Sequence, residues 1–369
     1  ILASEQLRKN IIKEELLELK ETYGDERKTE IIEEVTEFNV EDLIADEKMV
    51  ISVSHDGYIK RIPVSRYKVQ HRGGIGIIGM NTKQDDFVEH LFVATNHQYI
   101  LFFTDRGKCY WLKVFEIPKA RRNSQGRAIV NLLQIGSGEN ITAYVPIVEF
   151  NEDQCLFMCT KSGTVKRCKL EEFSRPYSPG LIAINLKDDD ELIEVETTDR
   201  KQEIILGTRL GRAIRFKEED VRITGRTASG VIGIRMEDDD YVVGMDVAKD
   251  DTSLLTVTEN GYGKRTNIKE YNTQRRGGKG VINIKTSERN GLAVGIKVVS
   301  KDDQVFMMSS DGMITRMSVD DISMFSRNTQ GVRLMSLRDS EKVVDITKVS
   351  PQEEKEANEE IAPQLSMFE

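Results

Sequence analysis

A phased pair of glycines recurs through most of this 369-residue chain and limits what it can fold into. Aligned on a glycine that follows a short apolar run, six units begin at Gly57, Gly107, Gly163, Gly211, Gly261 and Gly312, at steps of 48 to 56 residues. A second glycine follows 19 residues later in five units (Gly76, Gly126, Gly230, Gly280, Gly331) and 17 later in the third (Gly180). A period of this length marks a unit that buries its apolar faces only against copies of itself. Each unit reads as strands. Apolar runs such as 99–103, 155–159 and 254–257 lead into hairpin turns at Asp56-Gly57, Ser162-Gly163 and Asn260-Gly261. A second strand follows (58–62, 164–168), then one after the second glycine (230–234, 280–284) and a last apolar segment (242–247, 292–299). Four strands per unit predict an all-β, propeller-like ring of six blades over 48–349. Residues 342–349 have no repeat of their own and are expected to close the ring against the first blade.

The ends differ from the ring. Leu7, Ile11, Leu16, Leu19 and Tyr23 lie near helical spacing, so 1–24 reads as a helix capped by Gly24. Residues 25–47 read as an acidic linker and 350–369 as a disordered acidic tail. The formal charge of −9 resides in these ends: 1–47 carry −9 and 350–369 carry −5, leaving +5 in 48–349. An acidic total therefore does not exclude a polyanionic partner for the ring. The chain begins Ile1-Leu2-Ala3 with no basic-then-apolar leader, which reads as a piece of a longer cytoplasmic protein. No apolar run approaches the ~20 residues of a membrane-spanning helix. The four cysteines (Cys109, Cys155, Cys159, Cys168) read as buried strand residues, with no metal site expected.

Columns through the repeats separate core from surface. Ten residues past the first glycine stand Tyr67, Ile117, Phe173, Val221, Tyr271 and Ile322, a core column. Four residues past it stand Arg61, Trp111, Arg167, Arg215, Arg265 and Arg316. Four before the second glycine stand Arg72, Arg122, Pro176, Arg226, Arg276 and Arg327. Ten arginines phased with the blades predict two basic bands around the ring, joined by Lys60, Lys166, Lys264, Arg121 and Arg275. Guanidinium forks at regular intervals suit the phosphates of a bent duplex. Two patterns are set aside. Gly74-Ile75-Gly76-Ile77-Ile78-Gly79 matches a dinucleotide fingerprint without the surrounding βαβ unit. No G-x-x-x-x-G-K-[ST] loop for ATP occurs.

Gln274-Arg275-Arg276-Gly277-Gly278-Lys279-Gly280 matches, residue for residue, the box that distinguishes the A subunits of bacterial DNA gyrases. Asn260-Gly261-Tyr262-Gly263-Lys264-Arg265-Thr266 and Arg127-Ala128-Ile129-Val130-Asn131-Leu132-Leu133 are similar to the same family. Tyr23-Gly24-Asp25-Glu26-Arg27 resembles the exit from its coiled-coil arm. The chain thus resembles, over nearly its whole length, the C-terminal DNA-wrapping domain of that type IIA topoisomerase family. The resemblance implies a six-bladed β-pinwheel, whose neighbouring blades exchange strands, binding and bending DNA around its perimeter through the box and the two arginine columns. It implies an A2B2 holoenzyme, in which two gyrase B subunits join this chain's protein and a second copy of it. That enzyme introduces negative supercoils with ATP and Mg, in the cytoplasm and on the chromosome. The cleavage tyrosine and ATP site would lie outside this chain, which by itself would be no enzyme and hold no cofactor. Arg66-Tyr67 resembles the nucleophile-bearing pair of such enzymes, but Tyr67 belongs to the core column. In familiar members the box lies in the first blade. Here the first blade carries Gln70-His71-Arg72-Gly73-Gly74-Ile75-Gly76 and the intact copy lies in the fifth unit, so either could anchor the wrap. The corresponding domain of topoisomerase IV is the nearest alternative, and a protein-docking propeller the alternative from another class.

Overall fold

Both glycine columns are explained by the backbone. The computed structural model describes residues 4–24, 44–54, 56–63, 88–121, 124–175, 177–310, 314–338 and 341–349. Gly57, Gly107, Gly163, Gly211 and Gly261 take φ between +72° and +82°, and Gly126, Gly180, Gly230, Gly280 and Gly331 between +64° and +90°. Side chains with a Cβ avoid this region. The first set makes the hairpin turn and then offers its carbonyl to the next unit. Gly107 O accepts from the amides of Ala183 and Ile184 (2.8 and 3.2 Å), and Gly211 O from Asn283 and Ile284 (2.8 and 3.1 Å). The second set lets one unit's chain lie on the sheet before it: a Cβ on Gly280 would stand 2.4 Å from Ala213 O, and one on Gly126 2.6 Å from Ile59 O.

The strands follow in order. The first unit holds β1 (Lys48–Ser54), β2 (Tyr58–Pro63) and β3 (Val88–Thr95). The second holds β4 (Tyr99–Thr104), β5 (Lys108–Lys113), β6 (Arg127–Ala128) and β7 (Ile141–Ile147). The third holds β8 (Cys155–Thr160), β9 (Thr164–Lys169), β10 (Leu181–Ile182) and β11 (Leu192–Thr198). The fourth holds β12 (Glu203–Thr208), β13 (Arg212–Lys217), β14 (Val231–Ile232) and β15 (Val242–Ala248). The fifth holds β16 (Ser253–Thr258), β17 (Tyr262–Asn267), β18 (Thr273–Gln274), β19 (Val281–Ile282) and β20 (Ala293–Val299). The sixth holds β21 (Gln304–Ser309), β22 (Ile314–Ser318), β23 (Val332–Arg333) and β24 (Val343–Val349).

Six sheets result, and the short strands do not stay at home. β6 pairs with β2, β10 with β5, β14 with β9, β18 and β19 with β13, and β23 with β17. Among the described residues, units two to six each pass an outer strand to the preceding sheet, which is the strand exchange of a pinwheel-type propeller. One expectation is corrected here. Residues 342–349 are not left over, since β24 pairs antiparallel with β21, from Gln304↔Val349 to Met308↔Asp345, as the sixth unit's own long strand; only their expected closing against the first blade holds. It matches β7, β11, β15 and β20, packs beside β20 and also meets β3 of the first unit.

The core lies between blades. Successive strand residues point to opposite faces, and here each face meets a neighbouring unit. In β4, Leu101 and Phe103 pack toward the third unit while Ile100 and Phe102 pack toward the first. In β8, Leu156 and Met158 face the second unit, and Phe157 and Cys159 the fourth. Burial on both faces accounts for continuous apolar runs in place of alternation. The core column holds wherever it is described, with Ile117, Phe173, Val221, Tyr271 and Ile322 at most 1% exposed; Tyr67 lies outside the described residues.

Residues 1–44 form a separate unit. Its helix α1 (Glu5–Tyr23) buries no residue, and Gly24 caps it by donating to Lys20 O (2.9 Å) at an ordinary φ of −74°. Among the described residues, no helix is long and apolar enough to cross a membrane. The acidic tail, residues 25–43, Arg72, Arg122 and the first-blade copy at 70–76 lie outside the described residues.

Candidate nucleic-acid interface

The two arginine columns part company in the structure. Arg61, Arg167, Arg215 and Arg265 do not form an outer band. Their guanidinium groups reach the short 3-10 turn of the next unit. Arg61 donates to the carbonyls of Ile117 and Phe115 (2.5 and 2.9 Å) and to Asn96 Oδ1 (2.6 Å). Arg265 donates to Ile322 O (2.7 Å), and Arg215 to Glu203 (2.5 Å) and Ile268 O (3.2 Å). Arg167 stands 3.6 Å from the buried carboxylate of Glu218. These four clasp blade to blade, because a guanidinium at mid-strand in a two-sided core finds its partners in the adjoining unit. Arg316, in the last blade, is exposed, with Gln304 as its neighbour. The lysines expected to join the bands, Lys60, Lys166 and Lys264, are fully buried. Burial lowers each to about 8.

The second column stays at the edge. Arg226, Arg276 and Arg327 are half-buried on the loops leading to the transferred strands. Arg276 donates Nε to Asp220 O (2.8 Å) and NH1 to Ile232 O (3.1 Å). Arg327 reaches Ile282 O at 3.4 Å, and Arg226 lies over the Phe173 ring at 6.0 Å. Each loop therefore lies along the outer edge of the preceding sheet.

The Gln274–280 box is the best-formed of these loops. Gln274 ends β18 and residue 281 begins β19; both strands pair with β13, so the fifth unit's box is displayed on the fourth blade's sheet. Its three glycines meet different demands. Gly277 (φ +75°) donates to Gly233 O at 2.6 Å; Gly278 O accepts from Arg235 N (2.9 Å); Gly280 needs both positive φ and the missing Cβ. Arg275 and Lys279 project into solvent. Two basic residues missed in the sequence join them. Arg212 holds the loop by donating to the carbonyls of Lys279 and Gly280 (2.8 and 3.1 Å), and Arg235 is exposed beside it. Arg212, Arg235 and Lys279 line a shallow cleft with Glu237 and Asp238. A signal existed: position five past the second glycine reads Arg235 and Lys285 in the fourth and fifth units.

Exchanged outer strands, cores between blades and basic loops along the outer edge define a six-bladed β-propeller with basic residues on its rim. The family model described as DNA gyrase C-terminal domain, beta-propeller, matches residues 48–95, 98–142, 156–199, 202–249, 252–300 and 303–350, one blade each, and the chain belongs to that family. It is 55% identical over 349 residues to the DNA gyrase A protein of Halalkalibacterium halodurans, covering 95% of this chain and 42% of that protein. It is 44% identical over 340 residues to the DNA gyrase A protein of Salmonella typhimurium, covering 92% of this chain and 39% of the relative. The chain thus spans about two-fifths of the length of these relatives. A solved DNA gyrase A C-terminal domain superposes with a TM-score of 0.68 at 27% identity, covering 82% of this chain and 99% of that one. The C-terminal domain of a DNA topoisomerase IV superposes at 0.73 with 24% identity, covering 88% and 100%, which speaks to fold alone.

Proposed function

We propose that this chain binds duplex DNA along the rim of the propeller and bends it. As the C-terminal part of a gyrase A protein it would give ATP-driven strand passage its direction, toward negative supercoils. The observation that carries the reading is the intact box, folded into a hydrogen-bonded glycine loop with Arg275 and Lys279 exposed on the fourth sheet. The half-exposed Arg226, Arg276 and Arg327 extend it along the rim. Such groups contact phosphate without reading sequence. Arg61, Arg167, Arg215 and Arg265 act within the ring and are left out of the DNA face. In this reading the chain makes no bonds. DNA cleavage, ATP and Mg belong to the rest of an A2B2 assembly with gyrase B, in the cytoplasm on the chromosome. The topoisomerase IV reading draws on the fold likeness, but the gyrase A relatives and the intact box favour gyrase. Relaxing plasmid with the bound chain and resolving the topoisomers tests it: a shift in linking number is expected. A distribution identical to that of free plasmid would remove the wrapping reading.

A further inference from the structure

The three buried lysines lie under the very loops that carry the rim arginines. All belong to odd-numbered units, and each reaches forward into the next. Lys60 Nζ donates to Ser124 O at 2.8 Å, three residues past the exposed Arg121. Lys166 Nζ donates to Ala183 O (2.6 Å) and to the carbonyl of Arg226. Lys264 Nζ donates to the carbonyls of Ser326 and Arg327, both at 2.5 Å. From the other side, Glu172 Oε2 accepts the amide of Arg226 and Glu270 Oε2 that of Arg327, each at 3.2 Å. The two arginine residues are thus held at both backbone ends. Even-numbered units have Tyr110, Ile214 and Thr315 at the lysine position. The loops they face differ accordingly: the third unit has Pro176 in place of arginine, and the fifth unit's box is held by Arg212 and by Arg276's own bonds.

Resting on the DNA reading above, we propose that Lys60, Lys166 and Lys264 are positioning residues for DNA contact. Each pins an arginine-bearing rim loop from beneath with a charge of the sign that phosphate attracts. A buried hydroxyl could donate the same hydrogen bond. An ammonium also places a positive charge under the loop in a medium that screens it poorly. Burial lowers all three to about 8. Among the described residues, the titratable groups facing them are Glu172 and Arg226 with the Cys168 thiol at Lys166, and Glu270 and Arg327 at Lys264; at Lys60 the cause of the shift is burial. Exposed arginines keep their charge throughout this range.

The pH profile separates positioning from mere structure. The folded-state value of about 8 lies below the ordinary 10.5, so between them the unfolded chain binds more protons and folding gains stability as pH rises. DNA affinity should move the other way. For this chain and a mixed-sequence linear duplex at fixed salt, affinity should fall about tenfold from pH 7 to 9.5 while resistance to denaturant does not fall. The triple Lys60→Met, Lys166→Met, Lys264→Met variant should bind more weakly at pH 7 and lose the pH dependence, and each single substitution should remove part of it. A flat wild-type profile with firm binding at pH 7 overturns the lysine proposal and leaves DNA binding standing. No binding at pH 7 overturns the DNA reading itself. Affinity and stability declining together would reduce the lysines to structural parts.

Discussion

At the scale of single residues, the basic residues carried by the repeats do two jobs, and substitution tells them apart. Arg275 and Lys279 are solvent-facing, whereas Arg265 is 8% exposed with its Nε on Ile322 O. Arg275→Ala with Lys279→Ala should leave stability unchanged and make the slope of log affinity against log salt shallower by about two, as read in a salt titration. Arg265→Met should instead lower stability while leaving that slope in place, because the lost group holds the fifth unit to the sixth. Glycines are as specific. Gly280→Ala meets Ala213 O at 2.4 Å in a backbone with φ +64° and should cost about 1–3 kcal/mol in denaturant unfolding. Gly278→Ala meets nothing nearer than 3.5 Å and should be far milder.

At the scale of the strand pair, each hairpin is built around a buried hydroxyl three residues before the first glycine: Ser54, Thr104, Thr160, Thr208, Thr258 and Ser309. Ser54 Oγ accepts the amide of Tyr58 (3.1 Å) and Thr208 Oγ1 that of Arg212 (3.3 Å), tying the start of the second strand to the end of the first. In all six units the same residue stands at the register shift where the inner strand pair slips, between Phe103 and Thr104 or Gly207 and Thr208, for example. A bulge there increases local twist, which a blade needs in order to fan out from its neighbours. Thr208→Val keeps the shape and removes the acceptor, leaving a partly buried amide short of a partner. The expected loss is about 1 kcal/mol by chemical denaturation.

At the scale of the whole ring, the long strands β11, β15, β20 and β24 bring charge to the inside. Lys297 Nζ sits 3.2 Å from Glu194 Oε1, joining the fifth unit to the third across the one between them. Glu196 is pushed up to about 8 by burial, then by Asp246 and Glu194, with Lys297 and Lys348 opposing. A raised carboxyl makes the folded state hold the proton more tightly, so stability should fall as pH rises from about 5 to 8. Glu196→Gln should flatten that loss, and an unaltered profile in thermal or denaturant unfolding would discount the burial argument. The ends of the chain carry −9 and −5 against +5 in 48–349. Ending the chain at Val349 should therefore tighten DNA binding at low salt and matter little at high salt, where screening shortens the reach of the acidic residues. Equal affinities at low salt would count against competition by that segment.

Six units, their all-β character, the turns and the core column were legible in the sequence because each rests on local chemistry repeated six times. A positive φ demands glycine, and a residue buried in every blade is apolar in every copy, as Ile117, Phe173 and Val221 are. The box was legible as well, since its glycines and charges are contiguous. Strand exchange came only with the family resemblance, and which side chains the exchange covers was not legible. Arg61 and Arg265 look like rim residues until the next unit's turn is laid over them. Lys264 looks solvated until the loop of Arg327 covers it, and 342–349 looks spare until β21 takes it as its partner. Those assignments depend on which chain lies on which sheet. Tertiary structure decided them, because hydrogen-bond partners 56 to 63 residues apart are set by the stacking of blades. A repeat seen one unit at a time carries no trace of its neighbour.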